Sequence, residues 1–375
     1  MPGWELIDKK ERIALNNLVK KEGGILFAHG FNNLRKKFHV REFEDEISKK
    51  FKSKHTLAVT SGTAALKIAL KSIGVKQGDE VITQAFNFIA TIEAILDTGA
   101  KPVIVGVDDT LNMCPNDLKK KITKKTKVII PVQMLGVPAD LKNIIKISKA
   151  KKIKIISDNC ESMGAKFDNK FINELVDVEI FSLDFAKTIT CGEGGLILTN
   201  NTKIAKYCRE YHDHGHENKV FPRGNDKASI VGFNYRMTEM QAVIGKVQLK
   251  KFNFIIKENK KRHNVLENNL KKLSTIRKVP NGGVSIFDTF IFEPKKNRNQ
   301  IIKYLSKKGF GTKNLPDAIK WHCSYYWKHA LSRKNLKNSL KTMEKLKKQI
   351  AIPIFIKKTV SDYELLAKGI RVYLK

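Results

Sequence analysis

Residues 182–195 read Ser-Leu-Asp-Phe-Ala-Lys-Thr-Ile-Thr-Cys-Gly-Glu-Gly-Gly. A single lysine, Lys187, lies between two apolar runs, Val178–Ser182 and Leu196–Thr199. Most lysines of this chain read as solvated helix faces. One between two buried strands, beside a backbone of glycines, is placed rather than scattered. Desolvation lets such an amine lose its proton and attack a carbonyl to form a Schiff base, which points to pyridoxal 5'-phosphate. Twenty-nine residues earlier, in Ile156-Ser-Asp-Asn-Cys-Glu161, Asp158 closes another buried-strand pattern. Ligands of α/β proteins bind at the carboxyl ends of the strands, although an isolated aspartate there more often caps the next helix. A carboxylate and a lysine do complementary work on this cofactor. The acid keeps the pyridine nitrogen protonated, and the amine holds the aldehyde and then shuttles a proton.

Three further features suit the same group. Ser61-Gly62-Thr63-Ala64-Ala65 follows a strand and opens a helix, whose free N–H groups and dipole attract phosphate; its other use is a plain N-cap. Ser182, five residues before the lysine, can donate to that phosphate. Phe88, in Phe86-Asn-Phe-Ile-Ala-Thr91, can stack on the ring or serve as ordinary core. Gly192-Glu-Gly-Gly195 is too short for a nucleotide fingerprint and is expected to let backbone pass close to the cofactor.

The elements that must position these residues alternate. Strands are expected at Thr56–Thr60, Glu80–Thr83, Lys101–Val107, Lys127–Gln133, Ile153–Ser157, Val178–Ser182 and Gly195–Thr199. Helices are expected at residues 5–22, Ala64–Ser72, Ile89–Asp97, Pro115–Lys121, Leu141–Lys149, 203–211 and 237–273. Continuous Val/Ile runs alternating with helices predict an α/β fold with a mostly parallel sheet covered on both faces. Shorter mixed segments beyond residue 250 (Val284–Phe292, Gln300–Lys308) predict a smaller α+β domain, so residues 1–250 and 251–375 are expected to divide the chain.

With 71 Lys+Arg against 37 Asp+Glu in 375 residues, the formal charge is +34. The lysines are spread along the whole chain, without a basic tail or interleaved aromatics. Any attraction to nucleic acid is therefore expected to be weak, salt-sensitive and unselective. Five cysteines without a C-x-x-C pair predict neither a disulfide framework nor a zinc site. No apolar run approaches the ~20 residues that cross a bilayer, and Met1-Pro-Gly-Trp-Glu-Leu lacks a signal pattern, so a soluble cytoplasmic protein is expected. His212, His214 and His216 alternate and would share a face if extended. Without an accompanying carboxylate or cysteine cluster, no metal site is expected, and contacts to substrate from His214, His216 and Arg236 are the better reading; Arg223 is an alternative anion contact or an exposed arginine without a role.

Taken in order, Ser61-Gly-Thr-Ala-Ala, Ser157-Asp-Asn-Cys-Glu161, Ser182-x4-Lys187-x4-Gly192-Glu-Gly-Gly and Gly232-Phe-Asn-Tyr-Arg-Met-Thr-Glu-Met-Gln-Ala242 closely resemble the DegT/DnrJ/EryC1/StrS sugar aminotransferases. The resemblance implies the aspartate-aminotransferase (type I) fold and pyridoxal phosphate as cofactor. It assigns Lys187 to the Schiff base and Asp158 to the pyridine nitrogen. Gly62, Thr63, Ala64 and Ser182 would hold the phosphate, Phe88 would cover the ring, and Glu161 would stand near the ring hydroxyl, where many relatives have glutamine. Family members are homodimers, which implies that Asn234 reaches the neighbour's phosphate. Related dehydratases carry histidine where Lys187 stands, so the lysine implies amino transfer. The implied substrates are glutamate and a keto- or aldehydo-sugar, either an oxidised 3-deoxyoctulosonate aminated at C8 or a nucleotide-linked 4-keto-hexose. An acidic sugar would suit a cationic pocket. The alternative of another class is a non-catalytic binding protein of the same fold.

Overall fold

The computed structural model describes residues 3–22, 24–217 and 225–375. Its centre is a seven-stranded sheet of β1 (His55–Val59), β2 (Glu80–Gln84), β3 (Lys101–Val105), β4 (Thr126–Ile130), β5 (Lys154–Asp158), β6 (Val178–Ser182) and β7 (Gly195–Thr199). The spatial order is β1-β7-β6-β5-β4-β2-β3. Strand β7 runs antiparallel to both neighbours, and β6, β5, β4, β2 and β3 pair in parallel. Val128, Ile129, Ile130, Val178, Ile180, Phe181, Leu196 and Leu198 are buried, because helices cover both faces. Each such side chain contributes roughly 1.5–3 kcal/mol by leaving water. The expected α/β class and mostly parallel sheet hold; Val178–Ser182 and Gly195–Thr199 match at both ends, and the other strand ends shift by at most three residues.

Register brings the chemistry together. In β7, Gly195 lies opposite Val59 of β1 on one side and Ser182 of β6 on the other. The turn that follows β1 therefore lands beside the end of β6. That turn opens the helix Gly62–Ser72, capped by Ser61, whose Oγ accepts from the Ala64 amide at 3.1 Å.

A second, antiparallel sheet of β8 (Ser274–Ile276), β9 (Thr289–Pro294) and β10 (Ile350–Pro353) packs Phe290, Phe292, Ile350 and Ile352 against Leu266, Leu270, Ile301, Tyr363 and Ile370. The sequence run Val284–Phe292 is thus broken, with Gly283–Val284 pairing elsewhere with Lys166–Phe167. The helix Glu239–Leu270, started by a capping box of Thr238 and Gln241, continues unbroken through residue 250. Trp327, Leu331, Met343 and Leu346 also join the core of the large sheet. Near the N-terminus, the Gly3 amide donates to the Lys187 carbonyl at 3.1 Å, and the Glu5 carboxylate accepts from the Ile356 and Lys357 amides. This short segment ties the lysine loop to the C-terminal part of the chain.

Beneath the site, Glu179 of β6 is buried, accepting from Asn159 Nδ2 at 2.6 Å and the Asn173 amide at 3.1 Å. Burial outweighs these donors and pushes its pKa up to about 8. Between the ordinary glutamate value and about 8, the folded chain holds a proton that the unfolded chain has released, so stability falls as pH rises through that window. Glu179→Gln is expected to flatten this slope, as read by denaturation midpoints at pH 5, 6, 7 and 8; an unchanged slope would contradict the assignment.

Candidate active site

At the carboxyl ends of β5 and β6 the chain encloses a cavity of about 400 Å³ lined by Ser61, Gly62, Thr63, Phe88, Thr91, Asp158, Glu161, Ser182, Lys187, Lys313, Asn314 and His322, among others. Lys187 stands in the β6–β7 connection, which is closed by Leu183 N–H to Gly194 O at 2.9 Å and Cys191 N–H to Leu183 O at 3.1 Å. Asp158 ends β5, with Oδ2 accepting from Thr91 Oγ1 at 3.0 Å and Oδ1 from the Cys160 amide at 3.1 Å. Burial raises its pKa.

The phosphate end is built by close approach. A Cβ added at Gly62 would stand 3.0 Å from Ser182 Cβ and 3.1 Å from Cys160 Sγ. At Gly195 it would stand 2.2 Å from the Ser61 carbonyl oxygen. The glycine run therefore admits the Ser61 turn and, through it, the helix N-terminus. Gly195→Ala is expected to push that turn away and weaken retention of pyridoxal phosphate about tenfold or more, measured by equilibrium dialysis against the visible absorbance; wild-type retention would refute this role. The Ala64 amide, expected as a phosphate donor, is already given to Ser61 Oγ, which leaves those of Gly62 and Thr63.

The amine differs from expectation. Burial alone would lower the Lys187 pKa, but Glu161 at 3.9 Å, Asp184 and Asp158 outweigh it, and the net shift is upward. The free lysine is thus an ammonium held by carboxylates rather than a neutral amine. Burial likewise opposes ionisation of Glu161, yet Lys187, Lys313 and His322 hold its pKa down at about 2. Glu161 also accepts from the Leu135 amide at 3.3 Å and from Asn314 Nδ2 at 3.3 and 3.4 Å. Nor is the cavity cationic. Asp158, Glu161, Asp184 and Glu193 face two lysines, Lys187 and Lys313, because the excess lysines lie on outer surfaces.

Phe88 lines the wall, 46% exposed, with its ring tilted 41° and 5.4 Å from that of His322. Asn234 is exposed and lies outside this cavity, accepting from the Arg236 amide at 3.3 Å. The substrate-side expectations are not brought into the cavity of the same chain. Arg236 pairs with Asp213 at 2.6 Å, and His216 stands 3.7 Å from Asp226. His214 is exposed at φ +54°. His212 is buried against the Arg209 carbonyl, so the segment turns and the three histidines do not share a face. Arg223 lies outside the described residues. The residues that sequence reasoning missed are Thr91, Lys313, Asn314 and His322. Thr91 ends the quoted Phe86–Thr91 segment, and His322 lies in an aromatic-rich stretch at 321–327. Among the described residues, no cluster of His, Cys, Asp and Glu is arranged to hold a metal, and no helix is long and apolar enough to cross a membrane.

A model of the DegT/DnrJ/EryC1/StrS aminotransferase family matches residues 31–367. The chain belongs to this family. It is 32% identical over 241 residues to GDP-perosamine synthase of Escherichia coli O157:H7, a match that covers 64% of this chain and 65% of that protein. The aminotransferase from Psychrobacter cryohalolentis shares the fold, with a TM-score of 0.86 over 98% of both chains at 23% identity. NtdA of Bacillus subtilis, solved with bound PMP, superposes with a TM-score of 0.82 at 25% identity, covering 98% of this chain and 83% of its own.

The residues present fit pyridoxal phosphate. Asp158 is a buried carboxylate that forms no ion pair among the described residues, as a protonated ring nitrogen requires. Lys187 lies in the same cavity, and the Ser182–Gly62–Thr63 cradle lies at its sheet end.

Proposed function

We propose that the protein is a pyridoxal-phosphate-dependent aminotransferase that moves an amino group from glutamate to a keto- or aldehydo-sugar. The observation that carries this reading is the convergence of Lys187 and Asp158 on one cavity whose other end is a helix N-terminus beside Ser182. When bound, the cofactor supplies an aromatic ring that accepts electrons from the carbon next to the transferred nitrogen. The chain supplies the rest. Asp158 holds the proton at the ring nitrogen, and Lys187 Nζ takes and returns the proton at the substrate carbon. Ser182 Oγ and the amides of Gly62 and Thr63 hold the phosphate, and Phe88 narrows the mouth against water. Exposed Asn234 supports a homodimer in which it meets the phosphate of a second copy.

The sugar we favour is an oxidised 3-deoxyoctulosonate aminated at C8, giving an 8-amino form of the acidic sugar of lipopolysaccharide. Support comes from the segments Met1–Leu6, Lys187–Gly195, His212–His216 and Trp321–Trp327, which resemble the aminotransferase making that sugar. A nucleotide-linked 4-keto-hexose is the second reading, favoured by the likeness to GDP-perosamine synthase. A coupled assay supplying glutamate and each sugar separately decides between them. We expect turnover of the octulosonate aldehyde; turnover of the nucleotide sugar alone would overturn that choice. A purified protein that stays colourless under saturating cofactor would overturn amino transfer itself and favour a binding protein.

A further inference from the structure

Lys313 is 6% exposed, yet its side chain lines the cavity. Its backbone is fixed, with the Lys313 amide donating to the Ala351 carbonyl of β10 at 2.9 Å. Its ammonium donates to Asp288 Oδ2 at 2.8 Å. An ammonium has three N–H donors, and among the described residues only this one has an acceptor within hydrogen-bond distance. Burying charged donors without acceptors is costly unless a ligand completes them.

The neighbourhood narrows what that ligand is. Asn314 Nδ2 already reaches a carboxylate, that of Glu161, so this wall can hold such a group. Arg277, a half-buried cation nearby, directs its N–H groups to the Thr110 and Leu135 carbonyls and to Asn112 Oδ1. His322 Nδ1 faces the Ala318 carbonyl at 2.9 Å, which only accepts, and burial lowers the ring's pKa. Its other nitrogen, Nε2, already faces the Glu161 carboxylate at 3.9 Å, so this ring is committed within the wall. The phosphate cradle belongs to Ser61–Thr63 and Ser182, so a second anion needs another cation.

We propose that Lys313, oriented by Asp288 and flanked by Asn314, binds the carboxylate of the substrate and so selects acidic substrates. This rests on the transaminase reading and adds the acid-recognising residue to it. Two sources share the chemistry, the dicarboxylic amino donor and an acidic sugar.

The test is calorimetric titration of the cofactor-loaded protein with glutarate and, separately, with 3-deoxyoctulosonate, neither of which has an amine to transfer. Lys313→Gln is expected to weaken at least one of them about 10- to 100-fold, while Lys313→Arg stays within a few-fold of wild type. Loss for glutarate alone identifies the amino donor as the source, and loss for the octulosonate alone identifies the sugar. Because Lys313→Gln leaves Asp288 buried and unpaired, Lys313→Gln/Asp288→Asn is titrated alongside. Persistent weakness in this double variant supports direct contact, whereas recovery to wild-type affinity overturns it. Unchanged binding of both probes by Lys313→Gln also overturns it. The visible spectrum of the loaded protein is recorded throughout. A wild-type protein that holds no cofactor would defeat the transaminase reading, which is a different failure from loss of acid selectivity.

Discussion

Lys187→Ala is expected to lower amino transfer by at least about 10³-fold and to remove the violet-edge absorbance of the cofactor-loaded protein. The same substitution should leave the fold intact. The lysine is partly exposed, and Glu161, which loses one cation, keeps the Lys313 charge, Asn314 Nδ2 and the Leu135 amide. Lys187→Arg separates charge from chemistry. It keeps a cation beside Glu161 but cannot condense with a carbonyl, so stability should stay at the wild-type level while the absorbance is lost. Because the carboxylates raise the pKa of the free lysine, amine-directed labelling of Lys187 in cofactor-free protein should be suppressed at neutral pH and rise only in alkali. Glu161→Gln should bring that rise to lower pH. Visible absorbance or turnover persisting in Lys187→Ala would remove the lysine from the reaction.

That upward shift marks where local reading ends. Strand runs such as Val178–Ser182 are legible because a strand buried on both faces needs only apolar neighbours in sequence. The placement of Asp158 is legible because it ends such a strand, and that of Lys187 because its loop joins two of them. The charge state of Lys187 is set by Glu161, 26 residues away, and by Asp184, whose directions no run of residues reveals. Lys313 and Asn314 lie more than a hundred residues from Lys187 and reach the cavity only because the second sheet docks there. The helix His39–Phe51 escaped notice for a different reason. Val40, Phe43, Ile47 and Phe51 form its buried stripe, but Arg41, Glu42, Glu44, Asp45, Glu46, Lys49 and Lys50 surround it and lower its mean hydropathy. The expected division at residue 250 falls inside one helix, and a helix can belong to two packing units at once. Glu239–Leu270 buries Ala242 and Leu249 in one core and Leu266 and Leu270 in another.

Asp158→Asn separates function from stability most sharply. The wild-type carboxylate is buried, its donors are the Thr91 hydroxyl and the Cys160 amide, and its pKa lies above the ordinary value. A raised carboxyl pKa means that the folded state favours the protonated form. Stability is therefore present below the unfolded value and falls as pH rises through the folded one, so at neutral pH the cofactor-free chain carries the cost of ionising this group. Asparagine removes that cost and keeps an oxygen for the Cys160 amide, while the Thr91 hydroxyl turns to accept from the new NH₂. Cofactor-free Asp158→Asn should thus unfold no more readily than wild type at pH 7, and its advantage should shrink toward pH 4. Function should move the other way. A neutral amide cannot hold a proton on a ring nitrogen as a carboxylate does, and losing a charge-assisted hydrogen bond is worth about 10- to 100-fold in rate. Thermal denaturation of the cofactor-free protein, set beside turnover of the loaded enzyme, measures both. Wild-type turnover in Asp158→Asn would mean that this carboxylate does not face the ring nitrogen. Marked destabilisation of the cofactor-free variant would mean that the acid serves the fold instead.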